Sequence, residues 1–167
     1  MLGTALLLLV DGGCGYRFSA GEARLPGGGR ELNIAPVESA IAEAGWGGEL
    51  GERLQFEARR AGLVLSADPA APRLRARLLS LETIPRGIAA GGGRFAAREE
   101  EVRLSVEIVW QEGPTSSPPR FLREGESFVV APELRGTQTN RALAVRRALQ
   151  RLAERIVNES CRGFAWP

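Results

Sequence analysis

Histidine and lysine are both absent from this chain. Without histidine, the Ser-His-Asp and Cys-His arrangements of nucleophilic catalysis lack their base, and the commonest neutral metal ligand is missing. Without lysine there is no Schiff-base amine and no Ser-Lys pair. Cysteine occurs only at Cys14 and Cys161, which excludes a disulfide scaffold and a four-thiolate metal site. Long apolar runs are also lacking. The longest, Leu2 to Val10, is far short of the roughly 20 residues that span a bilayer. Nor does one sign of charge prevail: 22 basic against 20 acidic residues leave +2, so no nucleic acid partner is implied.

Arginine is what the chain has instead, supplying all 22 basic residues. Two readings fit. A GC-rich genome favours Arg, Ala and Gly codons together, or arginine is used for bidentate capture of phosphates and carboxylates.

The N-terminus carries the strongest local signal. Leu2 to Val10 has the length of a signal-peptide apolar region, and Gly12-Gly13 supply small residues ahead of Cys14. Residues 1–13 therefore read as a lipoprotein signal peptide that is removed, with Cys14 as the acylated residue. The pattern is imperfect. No Arg precedes the apolar run, which a start codon placed too far downstream would explain, and Asp11 stands where an aliphatic residue is usual. A buried strand ending in a glycine turn is the competing reading. If Cys14 is acylated, Cys161 is a buried hydrophobe or free thiol; if not, a Cys14–Cys161 disulfide is the rival.

Residues 14–30, with Gly27-Gly28-Gly29, read as a tether, and 31–167 as one domain. Glu31 to Val37 is a strand ending at Pro36, and Glu38 to Gly48 holds at most a weak helical turn. Glu49 to Ala61 is a helix with a stripe of Leu50, Leu54, Ala58 and Ala61, stopped by Gly62. Phe56 lies off the stripe and either covers a sheet edge or meets a partner. After the break at Asp68 to Pro72, three strands are expected. Arg73 to Ile84 shifts parity at Leu78-Leu79, which predicts a bulge. Glu101 to Trp110 alternates cleanly. Phe121 to Val130 alternates poorly through Arg123-Glu124-Gly125-Glu126. The connections 86–98 and 111–120 read as loops. Thr139 to Ser160 is the strongest helix, striped by Val145, Ala148, Leu149, Leu152 and Ile156, with Thr137 or Thr139 as its cap.

One apolar face per element predicts an α+β fold: two helices packed on one face of a four-stranded, mostly antiparallel sheet, in the order β-α-β-β-β-α. Candidate chemistry is sparse. Gly91-Gly92-Gly93-Arg94 lacks the Lys-Ser/Thr of a phosphate loop and reads as a hairpin tip. Glu99-Glu100-Glu101 alternate faces and read as a solvated strand start. Ser116, Ser117 and Ser127 have no base, so no enzyme activity is expected. The polar stripe Arg73, Arg75 and Arg77 is either a wet sheet face or a receptor for lipid-headgroup phosphates or acidic partner groups.

Several short motifs fall in the order of a known family. They are Cys14-Gly15-Tyr16-Arg17-Phe18, Leu32-Asn33-Ile34-Ala35-Pro36-Val37-Glu38, Leu50-Gly51-Glu52-Arg53-Leu54, Asn140-Arg141-Ala142 and Ala153-Glu154-Arg155-Ile156-Val157. The chain resembles LptE, the lipopolysaccharide-assembly lipoprotein family. The resemblance covers nearly all of the chain after Cys14, except loop 86–98. It implies an acylated Cys14 and no other cofactor. It also implies a place on the periplasmic side of the outer membrane, since Gly15 rather than an aspartate follows the cysteine. The implied partners are an LptD-like β-barrel, which the protein would plug and help assemble, and lipopolysaccharide. The alternative is a lipoprotein subunit of another envelope lipid-transport complex.

Overall fold

The computed structural model describes residues 23–26, 28–91 and 94–162. The signal segment, Cys14, most of the tether, Gly92, Gly93 and Gly163 lie outside the described residues. Chain order is β1 (Glu31–Ile34), β2 (Glu38–Ser39), α1 (Trp46–Arg60), β3 (Val64–Leu65), β4 (Arg73–Gly91), β5 (Arg94–Glu112), β6 (Thr115–Ser116), β7 (Arg120–Val129) and α2 (Leu134–Arg162).

The fold is α+β with two helices, but the sheet corrects the expectation. It has seven strands and is mixed, not four-stranded and mostly antiparallel. The strand predicted at 31–37 is interrupted at Ala35-Pro36-Val37, where proline offers no N–H, and continues as β2. Both pieces pair with β4 in parallel, at Asn33–Arg73 and Glu38–Arg77. They are parallel because α1 carries the chain back along the sheet before β4 begins. β3, directly after α1, adds in parallel beside β1. On the other side β4, β5 and β7 are antiparallel.

Two expected loops are also corrected. Residues 86–98 belong to the β4–β5 ladder, which continues to the pair Gly91–Arg94. Gly91–Arg94 is the last pair of this ladder, and Gly92 and Gly93, read as a hairpin tip, lie outside the described residues. Within 111–120, Gly113 takes a φ of 55°, allowing a tight turn that pairs Glu112 with Thr115 as β6. Buried Ser117 then bridges the irregular stretch before β7. Its hydroxyl accepts from the Trp110 N–H at 3.0 Å and donates to the Pro118 carbonyl at 3.1 Å.

The predicted bulge is present as a register shift between Leu78 and Ser80. It keeps Leu74, Ala76 and Leu78, and then Leu81, toward the helices, opposite Trp110, Ile108, Val106 and Leu104. The helices meet these strands with Leu50, Leu54 and Ala58 of α1 and the five predicted apolar residues of α2, all buried. Each buried leucine contributes about 1.5–3 kcal/mol. Helix α1 ends as predicted, with Gly62 at φ 85° after Ala61.

Helix α2 begins earlier than predicted, so neither threonine is its cap. Thr137 lies in the first turn, and its hydroxyl accepts from the Ala131 N–H and donates to the Ala131 carbonyl. Thr139 donates to the Arg135 carbonyl one turn back. Gly136 permits the early start, because a Cβ there would lie 2.8 Å from that of Ala131.

Candidate functional site

The sheet face away from the helices is largely polar, with Phe121 and Val129 exposed along β7, and the predicted arginine stripe lies on it. Arg73, Arg75 and Arg77 are all exposed along β4. Of the three, only Arg75 is ion-paired among the described residues, to Glu38 of β2 at 3.6 Å. Arg77 stands in register with Glu107, and a recess of about 170 Å³ is lined by Glu38, Arg75, Ala76, Arg77, Glu107 and Val109. Arg123 joins this surface, because its neighbour Leu122 is buried under the helices and successive strand residues alternate faces. Arg73, Arg77 and Arg123 hold no ion pair among the described residues, so their guanidinium donors are available to an outside acceptor.

Lower on the same face the expected solvated strand start is corrected. Glu101 is 8% exposed. Its carboxylate is ion-paired with Arg86 and lies 3.5 Å from Arg103. It leans over Gly125, where any Cβ would run into it. The absent side chain makes the room that burial requires.

The poor alternation of β7 has a cause on the helix side. Arg151 of α2 donates to Glu124 at 2.7 Å, Glu126 at 2.6 Å and the Gly125 carbonyl at 2.7 Å. Hydrogen bonding to Glu124 raises the Arg151 pKa, partial burial opposes this, and Glu126 adds to it. Two acidic residues can thus point toward the helix layer at a sheet edge. The matching signal in the sequence was Arg151 on the polar side of a strong helix.

Phe56 corrects another expectation. It covers no sheet edge; it is 59% exposed beside a groove on the outer surface of the helices. Sequence reasoning also missed Glu57, buried between α1 and α2. It accepts from Gln150 Nε2 at 2.6 Å and pairs with Arg60 at 3.4 Å. Cys161 is partly buried with no disulfide among the described residues, and burial raises its pKa; Cys14 lies outside those residues.

These surfaces suit binding. Among the described residues no helix is long and apolar enough to cross a membrane. A family model for LptE, described as lipopolysaccharide-assembly, matches residues 30–160. The chain belongs to the LptE family. The match leaves out only the N-terminal stretch and the last few residues, so it takes in every strand, α1 and all but the last two residues of α2 of this LptE-family fold.

Solved structures agree on architecture. A minor lipoprotein from Acinetobacter baumannii is 18% identical with a TM-score of 0.56, covering 80% of this chain and 91% of that one. The rare lipoprotein B from Shewanella oneidensis is 19% identical with a TM-score of 0.55, covering 77% and 91%. A lipoprotein from Caulobacter crescentus is 16% identical with a TM-score of 0.53, covering 76% and 89%. At these identities the likeness shows the fold alone. No curated protein matches the chain.

Proposed function

We propose that this LptE-family protein is an outer-membrane lipoprotein that plugs and assembles an LptD-like β-barrel for insertion of lipopolysaccharide into the outer leaflet. The family match over residues 30–160 carries this reading. The polar sheet face supports it, since the lumen of a large barrel is polar and a plug must present a wet surface to it. In this role the protein binds and positions; it performs no catalysis and holds no cofactor beyond the lipid on Cys14. Each buried methylene contributes about 0.8 kcal/mol, and stable anchoring needs more than one acyl chain, so a multiply acylated Cys14 fits the task. Arg73 and Arg77, with Arg75 beside them, are offered as the groups that meet lipopolysaccharide phosphates through charge-assisted hydrogen bonds.

The test is affinity capture of the tagged full chain from membranes, with mass spectrometry of what co-purifies. A large β-barrel protein is expected. A periplasmic or inner-membrane complex in its place would favour the other lipid-transport role, and the absence of any barrel would overturn the proposal. In the same preparation, neutralising Arg73, Arg75 and Arg77 together to Gln should weaken binding to lipopolysaccharide or to the barrel. Unchanged affinity for both would remove the stripe from the mechanism.

A further inference from the structure

Side chains of α2 reach over the outer edge of β7, and the plug role does not explain why. Which backbone groups stand at that edge follows from Trp110 of β5. Its carbonyl accepts from the Ser117 N–H at 2.7 Å, and its own N–H donates to the Ser117 hydroxyl at 3.0 Å. Trp110 therefore aims both groups toward the β6–β7 side of β5. Backbone groups alternate edges along a strand, so the even-numbered residues of β5 from 100 to 108 do the same. Their partners are the even-numbered residues of β7, from Phe128 back to Arg120. The residues between, Phe121, Arg123, Gly125, Ser127 and Val129, thus turn their N–H and C=O groups outward. Among the described residues no strand pairs with them.

A ten-residue edge strand is a template for another strand, and this one is complementary to itself. In an antiparallel pair centred on Gly125, Phe121 of one copy meets Val129 of the other, and Arg123 meets Ser127. Phe121 and Val129 are 64% and 65% exposed, and an aromatic opposite a β-branched residue is a favourable cross-strand pair.

Two of the outward acceptors are nevertheless taken. Arg151 donates to the Gly125 carbonyl at 2.7 Å, and Asn140 Nδ2 donates to the Val129 carbonyl at 2.9 Å. Arg151 is held there by Glu124 and Glu126, at 2.7 and 2.6 Å, so its guanidinium is fixed over the edge. A second β7 would need both carbonyls, and the Gly125 carbonyl lies at the centre of its register. Glu124 of one copy would also face Glu126 of the other, and like charges placed opposite each other disfavour pairing.

We infer that Arg151 and Asn140 guard the edge of the sheet: by occupying the Gly125 and Val129 carbonyls, they stop a second copy of this chain from adding its own β7. The guard is built into α2, the helix that already packs on this strand, so it is set when the domain folds. It holds whether the domain sits in a barrel or serves another lipid-transport complex.

The test uses the full-length protein, purified in detergent and carrying Cys161→Ser, with Arg123→Cys and Ser127→Cys as reporters. Four residues apart on a strand, these positions are about 13 Å from each other, too far for a disulfide within one chain. An oxidised 123–127 bond, located by mass spectrometry, therefore reports a second copy in the expected register. Little covalent dimer is expected while both guards are present. The edge is opened with Arg151→Leu and Asn140→Ala, in a Glu124→Thr, Glu126→Thr background that leaves neither acid stranded. Opening should raise the 123–127 dimer at least about fivefold, and the background alone should not raise it. A melt followed by circular dichroism identifies the opened protein as folded. A folded, opened protein that stays monomeric would overturn the inference. So would an equal yield of dimer with both guards present, or a dimer in the background alone, which would assign the block to the acids. If the opened protein does not fold, Asn140→Ala alone removes one guard at the end of β7. A rise of about twofold is then expected, and no rise would overturn the inference.

Discussion

A carboxylate buried on the outward side of a sheet needs counter-charge and space, and Glu101 takes each from a different strand. Arg86 on β4 and Arg103 on β5 supply the charge, and Gly125 on β7 supplies the space. Gly125→Ala should therefore destabilise the protein by about 1–2 kcal/mol in urea unfolding, although alanine suits a strand better than glycine does. In a Glu101→Ser background most of that cost should disappear, because the obstructing carboxylate is gone. Equal costs in the two backgrounds would show that Gly125 serves some other purpose. None of this was legible in Glu99-Glu100-Glu101. Three acids in a row look solvated until the neighbouring strand, with its glycine under one of them, is known. Cys161 is simpler: burial keeps its thiol protonated at neutral pH and thus poorly nucleophilic.

Between elements, the two helices are joined near their N-terminal ends by Glu43, just ahead of α1, and Arg141 of α2. The Arg141 guanidinium donates to both carboxylate oxygens, at 2.9 and 2.6 Å. That bonding holds the Glu43 carboxyl below its ordinary range, partial burial opposes it, and Trp46 adds a further hydrogen bond. A carboxyl with a lowered folded-state pKa adds stability that is complete above its unfolded pKa, about 4.3, and is lost as pH falls through the folded value. The thermal midpoint should therefore fall more steeply with acidification below about pH 4.3 in the wild type than in Glu43→Gln. Identical slopes would remove the pair from the stability account. At this scale the sequence was legible where periodicity is local: both helix stripes, the Gly62 stop and the bulge after Leu78. Pairing direction was harder to see, because it depends on where α1 returns the chain. Yet the order strand-helix-strand already contained the crossover that makes β1 and β4 parallel. The acidic centre of β7 made sense only beside Arg151, across the interface with α2.

Taken whole, the molecule has a covered body and a bare arm. Pairing to β7 stops at Glu99–Val129 and pairing to β2 stops at Ser39–Leu78, while β4 and β5 continue together to Gly91–Arg94. Because no third strand among the described residues supports this extension, removing residues 88–97 and closing the hairpin with a tight Asn-Gly turn should shift the thermal midpoint by only a few degrees. A drop of more than about 10 °C would show that the arm stabilises the body.

The arm also gives the molecule a direction. The described chain enters at Ala23, hydrogen-bonded to the Ala61 carbonyl, at the end where β4 begins. Gly91 lies at the other end of this 19-residue strand, roughly 60 Å away at about 3.3 Å per residue. A bilayer with its headgroups is about 40–45 Å thick. On the proposed reading, in which a lipid on Cys14 anchors the chain at a membrane, this ladder is longer than that membrane is thick. The span from Arg73 to Gly91 is set by the length of a β-ladder.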